Sequence, residues 1–95
     1  MEEELREKLK KYFEITGLAI KKVRIASPQG THLHKTAEDF LDMAKRYYED
    51  AKHFMDKNDL LTAFGALNYA HGWLDAGARI GVFDVDHDSR LFTVD

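Results

Sequence analysis

Four polar side chains on one predicted helix carry the clearest chemical potential in this 95-residue chain. Asn68, His71, Asp75 and Arg79 stand at i, i+3, i+7 and i+11, along one edge of a helix beside its main apolar face. A His–Asp pair is an arrangement that serves acid–base chemistry. Asn68, His71 and Asp75 together would also offer a small molecule or a metal ion a polar foothold. The same spacing describes a hydrogen-bonded seam, because buried polar groups must find partners and Asp75–Arg79 is an i, i+4 pair. The seam is the plainer reading.

The C-terminal run from Asp84 to Asp95 imitates a calcium loop. Asp84, Asp86, Asp88 and Asp95 take positions 1, 3, 5 and 12, where hard oxygen ligands are required. Three departures weaken it: Ser89 replaces the turn glycine, Asp95 replaces the bidentate glutamate, and no helix follows. A solvated acidic turn explains the run as well. His32 and His34 form an H-x-H beside the only proline break, while His53, His71 and His87 are scattered without zinc-ligand spacing. Zero cysteines exclude disulfides, thiolate nucleophiles and cysteine-rich zinc sites. No glycine-rich phosphate loop and no nucleophile with a recognisable base are present, so no catalytic residue and no cofactor is expected.

The rest of the composition describes a single soluble domain. Apolar residues make up 44% and charged residues 33%, with a net charge of −3. The basic end of the first segment (Lys21, Lys22, Arg24) lacks clustered aromatics and sits in an acidic chain. Helix-dipole matching accounts for it, and no nucleic-acid partner is expected. The acidic start, Met1-Glu2-Glu3-Glu4, is no signal peptide, and no apolar stretch reaches the roughly 18 residues needed to span a bilayer. A cytoplasmic setting follows. Asn58, Asn68 and Gln29 are the only side-chain amides, a depletion that points to a thermophilic source.

The elements that position these residues are helical. Leu5, Leu9, Tyr12, Phe13, Thr16, Ala19, Ile20 and Val23 form one stripe, with Leu18 and Ile25 off it. A second apolar face runs from Leu33 to Met55. Thr36-Ala37-Glu38-Asp39 is a partial capping box, but the spacing includes Leu33 and sets the helix start earlier. The third helix, from about Asp59 to Ile80, has only Asp75 and Arg79 as charges within residues 60–80. Asp59 is its N-cap and Gly81 its stop. It carries two apolar faces, one from Leu60 through Leu67 to Leu74, the other of Ala66, Tyr69, Trp73, Ala76 and Ile80. A helix apolar on most sides must be covered on most sides. Two neighbours cover the first face. The apolar residues of the tail (Val82–Val85 and Arg90–Val94, a hairpin or an irregular segment) are candidates to cover the second.

Within these helices, Ala37 to Ala44, Tyr47 to Phe54 and Ala63 to Ala76 resemble an archaeal family known only as "domain of unknown function 357". Tyr69-Ala70-His71-Gly72-Trp73-Leu74-Asp75 is the most specific piece. The resemblance covers roughly residues 5–85. It implies a small helical bundle and brings no activity or catalytic residues with it. Tyr47, Ala51, Phe54, Ala63, Leu67 and Ala70 are also similar to the packing positions of a single tetratricopeptide hairpin.

The expected molecule is all-α. It is a three-helix, mostly antiparallel up-down bundle over residues 1–85, with a short extended acidic tail at 86–95. The expected role is a non-enzymatic protein-interaction module. It would pair as a homodimer, or with another protein partner, through Ala66, Tyr69, Trp73 and Ile80 of the third helix or through the extra apolar residues of the first, Leu18 and Ile25. The alternative is a small-molecule or metal-binding protein using Asn68, His71 and Asp75.

Overall fold

A computed structural model of the chain describes residues 2–93. Helix α1 spans Glu2–Lys22, strand β1 Arg24–Ile25, helix α2 His32–Asp56, helix α3 Leu60–Arg79 and strand β2 Phe83–Asp84. The chain is an all-α bundle with one two-residue ladder.

Local chemistry sets the helix ends. The Thr31 hydroxyl caps α2 by accepting from the His34 N–H at 3.2 Å. The cap thus precedes the Thr36 signal, as the apolar spacing from Leu33 requires. The Thr36 hydroxyl instead donates to the His32 carbonyl inside the helix. At the other end Asn58 adopts a left-handed φ of 61°. The Asn58 and Asp59 amides then donate to the Met55 and Phe54 carbonyls, at 3.0 and 2.9 Å. Asp59 immediately caps α3, accepting from the Thr62 N–H. The same paired closure ends α3, where the Gly81 amide meets Ala78 and the Val82 amide meets Gly77.

So short a connection makes α2 and α3 antiparallel neighbours. The Phe40 ring meets Trp73 at 5.1 Å and Tyr47 meets Tyr69 at 4.5 Å, both edge-to-face. Helix α1 lies across the pair. It runs antiparallel to α2, with Phe13 on Tyr48, and parallel to α3, where Tyr12 meets Phe64 and Thr16 meets His71. Small residues let the helices close: Ala19 on α1, then Ala37, Ala44 and Ala51 on α2, and Ala63, Ala70 and Gly77 on α3, are all buried. Helix α3 holds the most buried residues of the three. No helix among the described residues is long and apolar enough to cross a membrane.

The tail departs from expectation in where it lands. Among the described residues, 82–85 do not pair with 90–93, and Val94 lies outside them. Strand β2 pairs antiparallel with β1, Arg24 opposite Asp84 and Ile25 opposite Phe83. Ile25, off the α1 stripe, is half-buried by this pairing. Val82, Phe83, Val85 and Phe92 are buried with Ala19, Ala37, Ala44 and Leu74. Residues 91–93 then bond to the His71–Asp75 edge of α3. The second apolar face is only partly covered: Trp73 packs against the core cluster that holds these tail residues, while Tyr69 stays 52% and Ile80 59% exposed. Long-range pairing with the α1–α2 connection draws the tail the other way.

Candidate functional site

Two surfaces of α3 hold the residues singled out by sequence. On the polar edge, His71 bridges three elements. Its Nε2 lies 2.6 Å from the Leu91 carbonyl and its Nδ1 3.0 Å from the Thr16 hydroxyl. A carbonyl only accepts, so Nε2 carries the proton and donates. In the neutral ring, Nδ1 then accepts from Thr16, which is only 2% exposed. Asp75 sits 3.8 Å from His71 Nε2. Its carboxylate accepts from the Thr93 amide at 2.8 Å and from the Thr93 hydroxyl at 3.0 Å. His71 and Asp75 thus fasten residues 91–93 to α3.

The expected Asp75–Arg79 pair is not among the ion pairs of the described residues. Asp75 turns to the tail, and Arg79 is exposed beside Thr93 and His87 at a separate concavity. Asn68 is exposed. It still shares one cavity of about 340 Å³ with His71 and Asp75, walled by Tyr12, Ile15 and Thr16 of α1 and by Leu67 and Gly72 of α3. The α1 side of this cavity was not legible from α3 alone, because its residues lie more than fifty positions away.

The acidic run is tied up locally. Arg24 holds Asp84 at 3.2 Å and Asp86 at 2.9 Å, and Lys22 reaches Asp86 at 3.6 Å. Asp88 accepts from the amides of Arg90 and Leu91 at 3.1 and 3.3 Å. Asp95, the twelfth position of the calcium reading, lies outside the described residues. Among the described residues no group of three or more metal-ligating side chains converges. His34 braces the α1–α2 connection, donating from Nδ1 to the Ser27 carbonyl at 3.1 Å.

The other surface is the outward side of α3. Leu61, Thr62, Gly65, Asn68, Tyr69, Gly72 and Ala76 are exposed, and none is charged. Leu61 is 77% exposed. A Cβ added at Gly65 or Gly72 would meet nothing within 4 Å. Beside this strip runs an aromatic row shared with α2, Tyr47 on Tyr69, Tyr69 on Trp73 and Trp73 on Phe40. Trp73 is half-buried in it and Ala66 half-buried against the Leu60–Leu67 core, and the indole N–H is buried with no acceptor among the described residues. Phe40 and Tyr47 belong to the apolar face that runs in the sequence from Leu33 to Met55. Both are half-buried, and of the i, i+7 series Leu33, Phe40 and Tyr47 only Leu33 is exposed.

No curated protein and no solved structure matches the chain. A family model described as "Protein of unknown function (DUF357)" matches residues 11–83, which hold the aromatic row and the His71–Asp75 edge. With most of its length covered by that one model, the chain belongs to the DUF357 family.

Proposed function

We propose that the chain is a non-enzymatic interaction module that pairs with a second copy of itself through the outward face of α3 and its aromatic row. The carrying observation is the absence of charge on the exposed positions of α3 from Leu61 to Ala76. A solvent-facing helix side ordinarily carries charged and polar residues. Two glycines with open space around them lower helix stability by about 1 kcal/mol each relative to alanine. Nothing within the chain requires them there, whereas a closely approaching helix would. The face is also self-complementary. A strip paved by Gly65, Gly72 and Ala76 lies beside the bulk of Leu61, Tyr69 and Ile80, so a two-fold axis sets each bulky row over the other copy's strip.

Sedimentation equilibrium tests this. Wild type should approach twice the chain mass as concentration rises, and Tyr69→Glu, at an exposed position, should stay monomeric with unchanged helicity. A wild type that remains monomeric at high concentration overturns it. The setting we propose is the cytoplasm of a thermophile, on the scarce amides and absent cysteine.

A second reading has one observation in its favour: Asn68, His71 and Asp75 line a single cavity. A small molecule bound there would shift the Asn68 side-chain amide resonances in a ligand screen. The ties of His71 and Asp75 to the tail support a structural role for both instead.

A further inference from the structure

We infer that the groove between α1 and the C-terminal segment docks an acidic amphipathic helix of another protein. Ile15 and Leu18 project from α1 away from its core stripe, and Leu18 is 55% exposed. With Leu91 they line a cavity of about 560 Å³ rimmed by Lys21, Lys22 and Arg90. Among the described residues Asp88 is the one acidic residue lining it; its carboxylate accepts from the Arg90 and Leu91 amides and lies 3.6 Å from Arg90 Nε. Lys22 has Asp86 as an exposed partner at 3.6 Å, while Lys21 has no carboxylate within ion-pair distance among the described residues. Lys22 and Arg90 each have one carboxylate partner and Lys21 has none among the described residues. Three lining cations against one lining carboxylate leave the mouth net positive on a chain of net charge −3. Charge complementarity selects an acidic partner.

The apolar floor supports a helical one. Ile15 also lines the neighbouring cavity with Tyr12 and Leu67, so apolar surface continues along α1. From Tyr12 to Lys22 the axis rises about 15 Å at 1.5 Å per residue, room for almost three turns of a partner helix. Such a helix would lay apolar side chains at i, i+4 and i+7 over Ile15, Leu18 and Leu91, its carboxylates meeting the basic rim. An anionic bilayer is the poorer occupant, because the surface is concave and the chain as a whole is repelled by negative charge. The residues differ from those assigned to self-pairing.

The test is an amide NMR titration of the full chain with a synthetic peptide. The peptide carries leucines at i, i+4 and i+7 with glutamates between them. Saturable shifts at Ile15, Leu18 and Leu91 are expected. Lys21→Glu with Arg90→Glu should weaken binding about tenfold or more, and Leu18→Ser should weaken it without unfolding the chain, since Leu18 is exposed. The proposal is overturned if those residues do not shift, or if a lysine version of the peptide binds as well. It also falls if the double charge reversal leaves affinity unchanged, or if phosphatidylglycerol vesicles shift these residues while the acidic peptide does not.

Discussion

Gly77 and Phe83 show how closely the tail is fitted. A Cβ at Gly77 would fall on the buried Phe83 ring, which the β1–β2 ladder fixes in place. Gly77→Ala should therefore destabilise the chain by about 1–3 kcal/mol, as overpacking does. Urea denaturation checks this, and adding Phe83→Leu should restore part of the loss. Asp88 gives the tail a pH dependence. Desolvation pushes its carboxyl up, but the Arg90 and Leu91 amides and the charges of Arg90 and Lys22 outweigh it, leaving it below the ordinary 3.8. A lowered folded-state value means the contribution is present above 3.8 and lost as pH falls through the folded value. Protection of the Arg90 and Leu91 amides, measured as exchange relative to the intrinsic rate at each pH, should be unchanged from pH 7 to about 5 and should fall in acid below 3.8. At this scale the spacing put Asn68, His71 and Asp75 on one edge. It could not name their partners: Thr16 lies 55 positions and Leu91 20 positions from His71, and no local pattern links them.

The helices were the most legible elements, because their ends are written in short-range bonds. Asp59 and Gly81 act as caps in the places their types require, and Leu33 correctly outvoted Thr36. The two-sidedness of α3 was legible too, but its cover was not. Cover depends on where the tail goes, and that is decided by pairing between residues 24–25 and 83–84. The exposed glycines yield a prediction that belongs to the element. Gly65→Ala and Gly72→Ala should each stabilise the monomer by up to about 1 kcal/mol while weakening self-pairing. Denaturation at low concentration reads the first effect, and sedimentation at high concentration reads the second. Stabilisation without any loss of pairing would mean that the close approach occurs elsewhere.

The whole molecule is flat and well wetted. Its Cα extents are 45 × 24 × 16 Å and its radius of gyration is 13.9 Å. A compact chain of this length would have about 12.4 Å. The accessible surface is 6340 Å², against roughly 5600 Å² for a typical monomer of this mass. The excess of about 700 Å² is close to the roughly 800 Å² that each partner buries in a standard interface. A pairing chain is stabilised by mass action, so the melting temperature should rise with protein concentration. Differential scanning calorimetry over a hundredfold dilution series checks this, and a constant value would count against the dimer.

The ladder joining the α1–α2 connection to residues 83–84 also bears on synthesis. The α2–α3 hairpin can form as soon as it leaves the ribosome, since its contacts are local. Helix α1, translated first, waits longest for its lasting neighbours. A chain shortened before α3 and the tail would therefore leave uncovered the α1 residues that meet them, Tyr12 and Thr16 among them.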